Sequence, residues 1–456
     1  MISAASFAAE EPLWPFSDLD TALAQARAAR TPVFAYWSTG WCPPCAEMRA
    51  TVFRTPEFRA RSEGILLLHI DGDAPLAQTA GDRLGTTVYP TMQLLDGNGD
   101  EWLRFPGGLP AGVFCEVLDA ALRKRAPIST LAARLLDGAT LDADDFRLLA
   151  FHYWPQDSRT CAGSARLALL EKLDALVPCV LEREAARIFV WRLLETAARH
   201  AASPGSIDAQ TRESLRTRLL GLLHSAQATY ATLYYLIVGL APVLDLLAPP
   251  DQPSRQFVLQ GLHAGLDRIL ADTGLSATER LITLSTHADL ARRLAASGEL
   301  DALTRERVRT TVERVDAQTT WSIERQSVMN MAGHLLKQCD FRSEAEALFR
   351  RAVQESAEPT YFMPYLAEMC MEDNRADEAL TWWRRAYEQT HGKNSRFALG
   401  VRYIATLIRH FPQEAAQIEA LTARVLGELG DDPDLTRARN GNALRQLGHA
   451  LKSWRR

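Results

Sequence analysis

Two cysteines lie between an apolar, strand-like segment and an amphipathic segment. Residues 41–45 read W-C-P-P-C, after P-V-F-A-Y-W at 32–37 and before A-E-M-R-A-T-V-F at 46–53. A cysteine at the first turn of a helix lies beside backbone N–H groups without intrahelical partners, and these groups favour its thiolate. Proline is tolerated there because the N–H that it lacks would be unsatisfied anyway. The pattern predicts thiol–disulfide chemistry, with Cys42 at the helix start.

A C-x-x-C pair is also half of a zinc site. A structural zinc site needs a second pair of Cys or His ligands. No second pair with that spacing exists, and the other cysteines are scattered: Cys115, Cys161, Cys179, Cys339 and Cys370. The redox interpretation is therefore favoured, and we expect neither a metal nor another cofactor.

Residues 18–124 predict an alternation of helices and strands. In chain order we expect a helix at 18–29, a strand at 32–37, a helix at 42–61, a strand at 65–71, a helix at 75–84, strands at 91–95 and 101–105, and a helix at 110–124. The D-G-N-G turn at 96–99 predicts a hairpin between the last two strands. Strands that alternate with helices indicate parallel pairing and an α/β fold.

This order of elements resembles the thioredoxin-like family. The run V-Y-P-T at 88–91 matches the position of the family's cis-proline loop, and G-G at 107–108 falls at its last strand-to-helix turn. Residues 45–58 resemble the C-terminal thioredoxin module of transmembrane disulfide-interchange proteins. The resemblance implies a thioredoxin fold, and we assign residues 1–126 to a thioredoxin-like domain.

The resemblance also implies roles for five residues. Cys42 is expected to attack a substrate disulfide as thiolate, and Cys45 to resolve the mixed disulfide, so that the two form the redox-active disulfide. Trp41, Tyr89 and Pro90 are expected to bind the substrate, with a cis bond before Pro90. The direction of electron flow then depends on the partner that recharges the pair.

The chain departs from the family at one catalytic position. Thioredoxins carry a buried Asp on the first central strand, whereas residues 33–37 contain no acid and Ala35 is expected in its place. Water or Glu47 would then carry out proton transfer at Cys45. For Glu47 we favour a different interpretation, an acid in the first helical turn stabilised by the helix dipole.

From residue 127 onwards the pattern is helical, with apolar residues at helical spacing. The triplet R-R-A recurs at 350–352 and 384–386, and this period of 34 resembles tetratricopeptide repeats. We expect degenerate helical hairpins at 127–327 and tetratricopeptide-like repeats at 328–456. Such an array offers a long concave surface to another polypeptide, or it serves as a passive scaffold.

Composition excludes some partners and leaves the compartment open. With 51 basic and 56 acidic side chains the chain has no footprint for nucleic acid, and no apolar run is long enough to predict a transmembrane segment. Taken from Met1 the chain has no full signal peptide, which predicts a cytoplasmic protein. The small residues at 3–10 resemble the end of a signal peptide, so an upstream start would make it periplasmic.

We expect a thiol–disulfide oxidoreductase, a protein-disulfide reductase or isomerase, whose helical array binds protein clients. The partners expected are disulfide-containing protein substrates and an upstream dithiol donor or reductase. The alternative is a thioredoxin–tetratricopeptide co-chaperone or adaptor in which client binding dominates and redox activity is secondary. A third class is a dedicated electron carrier for one pathway, but no residue in the sequence favours it.

Overall fold

Every strand among the described residues lies in the first quarter of the chain. A computed structural model describes residues 14–105, 107, 109–249 and 254–454, so the signal-like segment at 3–10 lies outside them. The elements of this first part are α1 Leu19–Ala29, β1 Val33–Ser38, α2 Pro43–Met48, α3 Pro56–Ser62, β2 Leu66–Asp71, α4 Ala77–Leu84, β3 Thr91–Leu95, β4 Glu101–Phe105 and α5 Ala111–Lys124.

The described chain beyond residue 124 is helical. Its helices are α6 Ile128–Leu136, α7 Ala143–Phe151, α8 Gly163–Leu176, α9 Glu182–Ala202, α10 Ala209–Leu222, α11 Ala226–Val238, α12 Leu240–Leu247, α13 Ser254–Leu270, α14 Ala277–Leu294, α15 Ala302–Gln318, α16 Ser322–Gln338, α17 Arg342–Glu355, α18 Met363–Glu372, α19 Ala376–Gln389, α20 Lys393–His410, α21 Ala415–Leu429 and α22 Ala438–Trp454. Within the ranges described, none of the helices combines the length and the apolar character needed to cross a bilayer. The predicted α/β fold followed by an all-α array is confirmed.

The sheet has the strand order β2-β1-β3-β4. Strand β1 pairs in parallel with β2, with Val33 opposite Leu66, as the alternation predicts. Strand β3 instead runs antiparallel to β1, with Trp37 opposite Thr91, so parallel pairing is the wrong prediction for this strand. The physical reason is that the chain, including α4, stays at the end of the sheet where β2 finishes and enters β3 from that end.

The helix predicted at 42–61 is interrupted. Helix α2 passes into one π-helical turn, Arg49–Phe53, and α3 begins separately at Pro56. The Phe58 N–H donates to Thr55 Oγ1 at 3.3 Å, which caps α3. Pro56 has no N–H to continue a helix from the preceding turn. Local capping chemistry therefore divides one predicted helix into two.

The two faces of β1 belong to different cores. Phe34 and Tyr36 pack with the two motif cysteines in a cluster that continues into the helical region as far as Leu290. Ala35 and its neighbours of the same parity pack on the other face, against α1 and α4. This alternation follows the two-residue period of a strand. The helical region thus extends the core of the sheet domain on one face.

The 34-residue period has a structural counterpart in two equivalent interhelix turns. Asp340 between α16 and α17 has φ 65°, and Asn374 between α18 and α19 has φ 59°. In each turn the following residue donates its N–H to a carbonyl five residues earlier, Phe341 to Leu336 at 2.9 Å and Arg375 to Cys370 at 2.8 Å. The hairpins α16–α17 and α18–α19 are therefore built alike.

The boundary predicted between residues 327 and 328 falls inside α16. A second hydrophobic core runs from Leu270 to Leu447 and overlaps the first along the chain, since the first extends to Leu290. The division of the chain into three domains stays a prediction.

The C-terminal helices return to the sheet domain and cap α4. Asp434 is 1% exposed, and its carboxylate accepts the N–H groups of Gln78 at 3.2 Å and Thr79 at 2.8 Å. The first N–H groups of a helix have no intrahelical acceptor. Asp82 of the same helix accepts the Ala438 N–H of α22 at 2.7 Å. A side chain more than 350 residues away therefore completes the N-terminus of α4.

Replacing the capping carboxylate is expected to destabilise the whole protein. In Asp434→Ala the buried N–H groups of Gln78 and Thr79 lose their acceptor, so the free energy of unfolding falls by about 1–3 kcal/mol, measured by urea denaturation. The control Asp431→Ala changes an exposed carboxylate in the same turn and is expected to stay within about 0.5 kcal/mol of the parent. Equal stability of the two variants would contradict the capping role.

Candidate functional site

Cys42 is the N-cap of α2. Its backbone is extended (φ −79°, ψ 111°), and the Cys45 N–H donates to Cys42 Sγ at 3.3 Å. The two cysteines form a disulfide with Cα atoms 5.2 Å apart, inside the range that a disulfide requires. Pro43 and Pro44 occupy the first helical positions. The helix start therefore delivers an N–H and the positive end of the dipole to the sulfur of Cys42.

The proline loop lies against this helix start. The Tyr89–Pro90 peptide bond is cis. The ring of Tyr89 lies 4.2 Å from Trp37 and 5.9 Å from Trp41, measured between centroids. Gln78 Nε2 donates to Tyr89 Oη at 3.0 Å. The structure thus places the substrate-binding residues predicted from the sequence beside the cysteine pair.

Tyr89 also depends on a close approach by the β2–α4 loop. A Cβ atom added at Gly72 would overlap Tyr89 Oη, so glycine is required at this position. Burial raises the pKa of the Tyr89 phenol. The phenol is therefore a neutral hydrogen-bonding group.

The two cysteines are both buried. Cys42 is 3% exposed and Cys45 1% exposed. The reason is that the helical region covers the motif. Helix α16 packs directly on α2, and Gln326 Nε2 donates to the Trp41 carbonyl at 2.6 Å. The indole of Trp41 stacks on Tyr361 with centroids 5.9 Å apart.

A polar network joins Trp41 to the β2–α4 loop through the array. Trp41 Nε1 donates to Ser395 Oγ at 2.5 Å, and Ser395 Oγ in turn donates to Asp73 Oδ2 at 2.6 Å. The Ser395 N–H donates to Asp73 Oδ1 at 2.7 Å. Desolvation raises the pKa of Asp73, against the lowering effect of these hydrogen bonds. The guanidinium of Arg439 lies 4.4 Å from the centroid of Tyr89.

Sequence reasoning did not identify these contributors from the array. Ser395 and Gln326 lie 354 and 285 positions from Trp41, and neither stands in a motif. Both residues are buried near the start of a helix, and this feature can be recognised only in the folded chain and not in the sequence. Part of the surroundings of Trp41 therefore comes from residues that the local pattern does not mark.

A cavity of about 760 Å³ lies between the motif and the array. On the thioredoxin side it is lined by Pro43, Pro44 and the Tyr89–Pro90 loop. Facing them are residues from α7, α9, α11, α14 and α16, among them Tyr230 and Glu279. The predicted substrate-binding loop therefore faces helices of the array across this cavity.

Glu47 lines this cavity. It is the fifth residue of α2, beyond the first turn, so the interpretation as a dipole-stabilised acid is wrong. Desolvation, with the carboxylates of Glu279 and Glu324, raises its pKa from an ordinary value of 4.5 to about 8. Residues two apart on a helix do not face each other, so the side chains of Glu47 and Cys45 diverge. The side chain of Glu47 therefore lines the cavity and is not directed at the sulfur of Cys45.

A parallel–antiparallel sheet, a C-x-x-C pair at a helix start and a proline loop beside it define a thioredoxin-like redox module. Residues 19–122 match the family model of the thioredoxin-like domain, and this part of the chain is such a domain. The thiol:disulfide interchange protein DsbD 1 of Pseudomonas aeruginosa is 32% identical over 113 residues, which is 24% of this chain and 19% of the relative. The chain thus matches about a fifth of the length of that relative. The family match ends at residue 122, so the tetratricopeptide-like character of the array stays a prediction.

Glu47 is expected to make stability depend on pH. Its folded pKa lies near 8 and its ordinary value near 4.5, so between these pH values the folded chain holds a proton that the unfolded chain releases. This carboxyl therefore lowers the free energy of unfolding as pH rises through that window. In Glu47→Gln we expect the loss between about pH 5 and pH 8 to shrink by about 1.4 kcal/mol or more, one pKa unit.

The measurement for Glu47 is urea denaturation of the oxidised protein at several pH values. The control Glu63→Gln changes an exposed carboxyl of the same domain and should follow the parent curve. A Glu47→Gln curve parallel to the parent would contradict a Glu47 that holds its proton in the folded chain.

Proposed function

We propose that the protein is a thiol–disulfide oxidoreductase that works through Cys42 and Cys45. The observation that carries the proposal is the position of Cys42, an N-cap whose sulfur accepts the Cys45 N–H within a thioredoxin-like domain. In the reduced protein the Cys42 thiolate attacks a substrate disulfide and releases one substrate thiolate. The Cys45 thiolate then attacks Cys42, releases the second, and leaves the pair oxidised. Two electrons pass to the substrate.

The array supplies half of the substrate site in this proposal. Tyr89 and Pro90, which line the cavity, contact the substrate from the thioredoxin side together with Trp41, and the cavity-facing helices contact it from the other side. Trp41 is held by Ser395 and by Gln326, so the array positions the docking surface as well as covering it. An external dithiol then reduces the Cys42–Cys45 disulfide. The relative's name describes thiol:disulfide interchange, which is the activity proposed here.

The two cysteines are expected to respond differently to substitution. Cys42→Ser removes the attacking thiolate and abolishes disulfide reduction. Cys45→Ser removes the resolving thiolate, so the mixed disulfide at Cys42 accumulates and is detected by mass spectrometry. The control Cys179→Ser changes an exposed free cysteine and keeps the parent rate. Multiple-turnover reduction by Cys45→Ser would contradict the two-cysteine mechanism.

The direction proposed is reduction of the substrate. Equilibration in glutathione buffers with thiol trapping is expected to give a reduction potential near that of thioredoxin, roughly −270 mV. A value of roughly −120 to −180 mV is typical of oxidases and isomerases. Such a value would contradict the reductase assignment and leave the exchange chemistry intact.

A further inference from the structure

We propose that His263, Asp267 and His287 bind one divalent transition-metal ion with the ligand preferences of zinc, between helices α13 and α14. The site lies in the helical array and shares no residue with the cysteine pair or the proline loop. Each of the three residues offers one nitrogen or oxygen atom, and these atoms lie within 4.8 Å of one another. Two imidazoles and a carboxylate form a donor set that binds zinc and related ions in proteins.

A helical hairpin brings the three side chains together. His263 and Asp267 are four residues apart on α13, so their side chains share one face of that helix. His287 lies on α14, which packs along α13. The two imidazole rings approach each other with centroids 4.0 Å apart. The group is therefore formed by the packing of two helices and not by a motif in the sequence.

The environment of His287 points to a ligand. His287 is 4% exposed, and neither of its ring nitrogens has a hydrogen-bond partner within the described part of the chain. Its Nε2 lies 3.0 Å from Asp267 Oδ1, which is the distance of an ion pair, but without the geometry of a hydrogen bond. A buried imidazole without a partner is costly, and a metal ion bound by its lone pair would satisfy it.

The distances between the donor atoms fit a metal site. In tetrahedral zinc sites, metal–ligand bonds of about 2.0–2.1 Å place neighbouring ligand atoms about 3.3 Å apart. His287 Nε2 and Asp267 Oδ1 are 3.0 Å apart, and His263 Nδ1 and Asp267 Oδ2 are 3.6 Å apart. The side chains of His263 and Asp267 are 26% and 47% exposed, so an ion can reach the site from solvent.

Arg307 of α15 is the charged group that contacts this cluster from a third helix. Its guanidinium donates to Asp267 Oδ1 at 2.9 Å. A carboxylate has lone pairs for several partners, so this hydrogen bond leaves Oδ2 for a metal. Hydrogen bonds of this kind orient the carboxylates that bind metals. The side chain of Arg307 is 37% exposed, so solvent and salt weaken its repulsion of the ion.

The test is zinc binding to the untagged, full-length protein, measured by isothermal titration calorimetry. The protein is oxidised at Cys42–Cys45, and its exposed Cys179 is alkylated with iodoacetamide, so that these sulfurs do not compete for the metal. We expect one zinc ion per chain. A large excess of Mg²⁺ should not displace it, because Mg²⁺ prefers oxygen ligands.

Loss of either partly exposed ligand is expected to weaken zinc binding. The dissociation constant should rise about ten-fold or more in His263→Ala and in Asp267→Asn, since even the loss of a group that only orients a ligand costs that much. The control His224→Ala changes an exposed histidine outside the cluster and should keep the parent value.

A second measurement distinguishes a metal site from a cluster that only holds the helices together. A ligand that binds the folded chain stabilises it, so zinc should raise the urea midpoint of the parent and of His224→Ala above the value in EDTA. The shift should be smaller in His263→Ala. Absence of zinc binding, displacement of zinc by Mg²⁺, or an unchanged dissociation constant in both ligand variants would each overturn the proposal.

Discussion

The arrangement of the site depends on Ser395, which stands between Trp41 and Asp73. Its hydroxyl accepts from the indole and donates to the carboxylate, and its N–H donates to the same carboxylate. Buried polar groups are costly when they lose a partner, and a network of them stabilises one arrangement when all are satisfied. Helix α20 is thereby fixed against the active-site loop. The same contact holds the indole of Trp41, the residue before Cys42, against the array.

The parts of this structure that the sequence predicts are those with local signals. Strands Thr91–Leu95 and Glu101–Phe105 have the predicted bounds, because a glycine-rich turn and alternating apolar residues mark them. The helix start at Pro43 follows from its two prolines and the preceding strand. The 34-residue period appears as matching turns at Asp340 and Asn374, since each needs a residue that tolerates positive φ.

The remaining features depend on contacts that no local pattern encodes. The direction of β3 is set by where the chain enters the sheet, not by the residues of Thr91–Leu95. The burial of Cys42 and the raised pKa of Glu47 arise from helices that come more than 200 residues later. A first-turn acid and a half-buried acid on a cavity wall are the same residue type in a sequence. Only the packing of α16 on α2, and the position of Glu279 on the wall of the same cavity, distinguishes them.

Covering the motif also changes the chemistry that the motif performs. Both cysteines are buried, and electrostatic interactions are stronger in a less polar environment than on an open surface, so the helix dipole acts more strongly on the sulfur of Cys42. Desolvation likewise raises the pKa of Glu47 on the cavity wall. Both effects have one origin, the contact of the array with the thioredoxin-like domain. In this chain the helical region is therefore part of the electrostatic environment of the cysteines, because α16 packs on the helix that begins after Cys42.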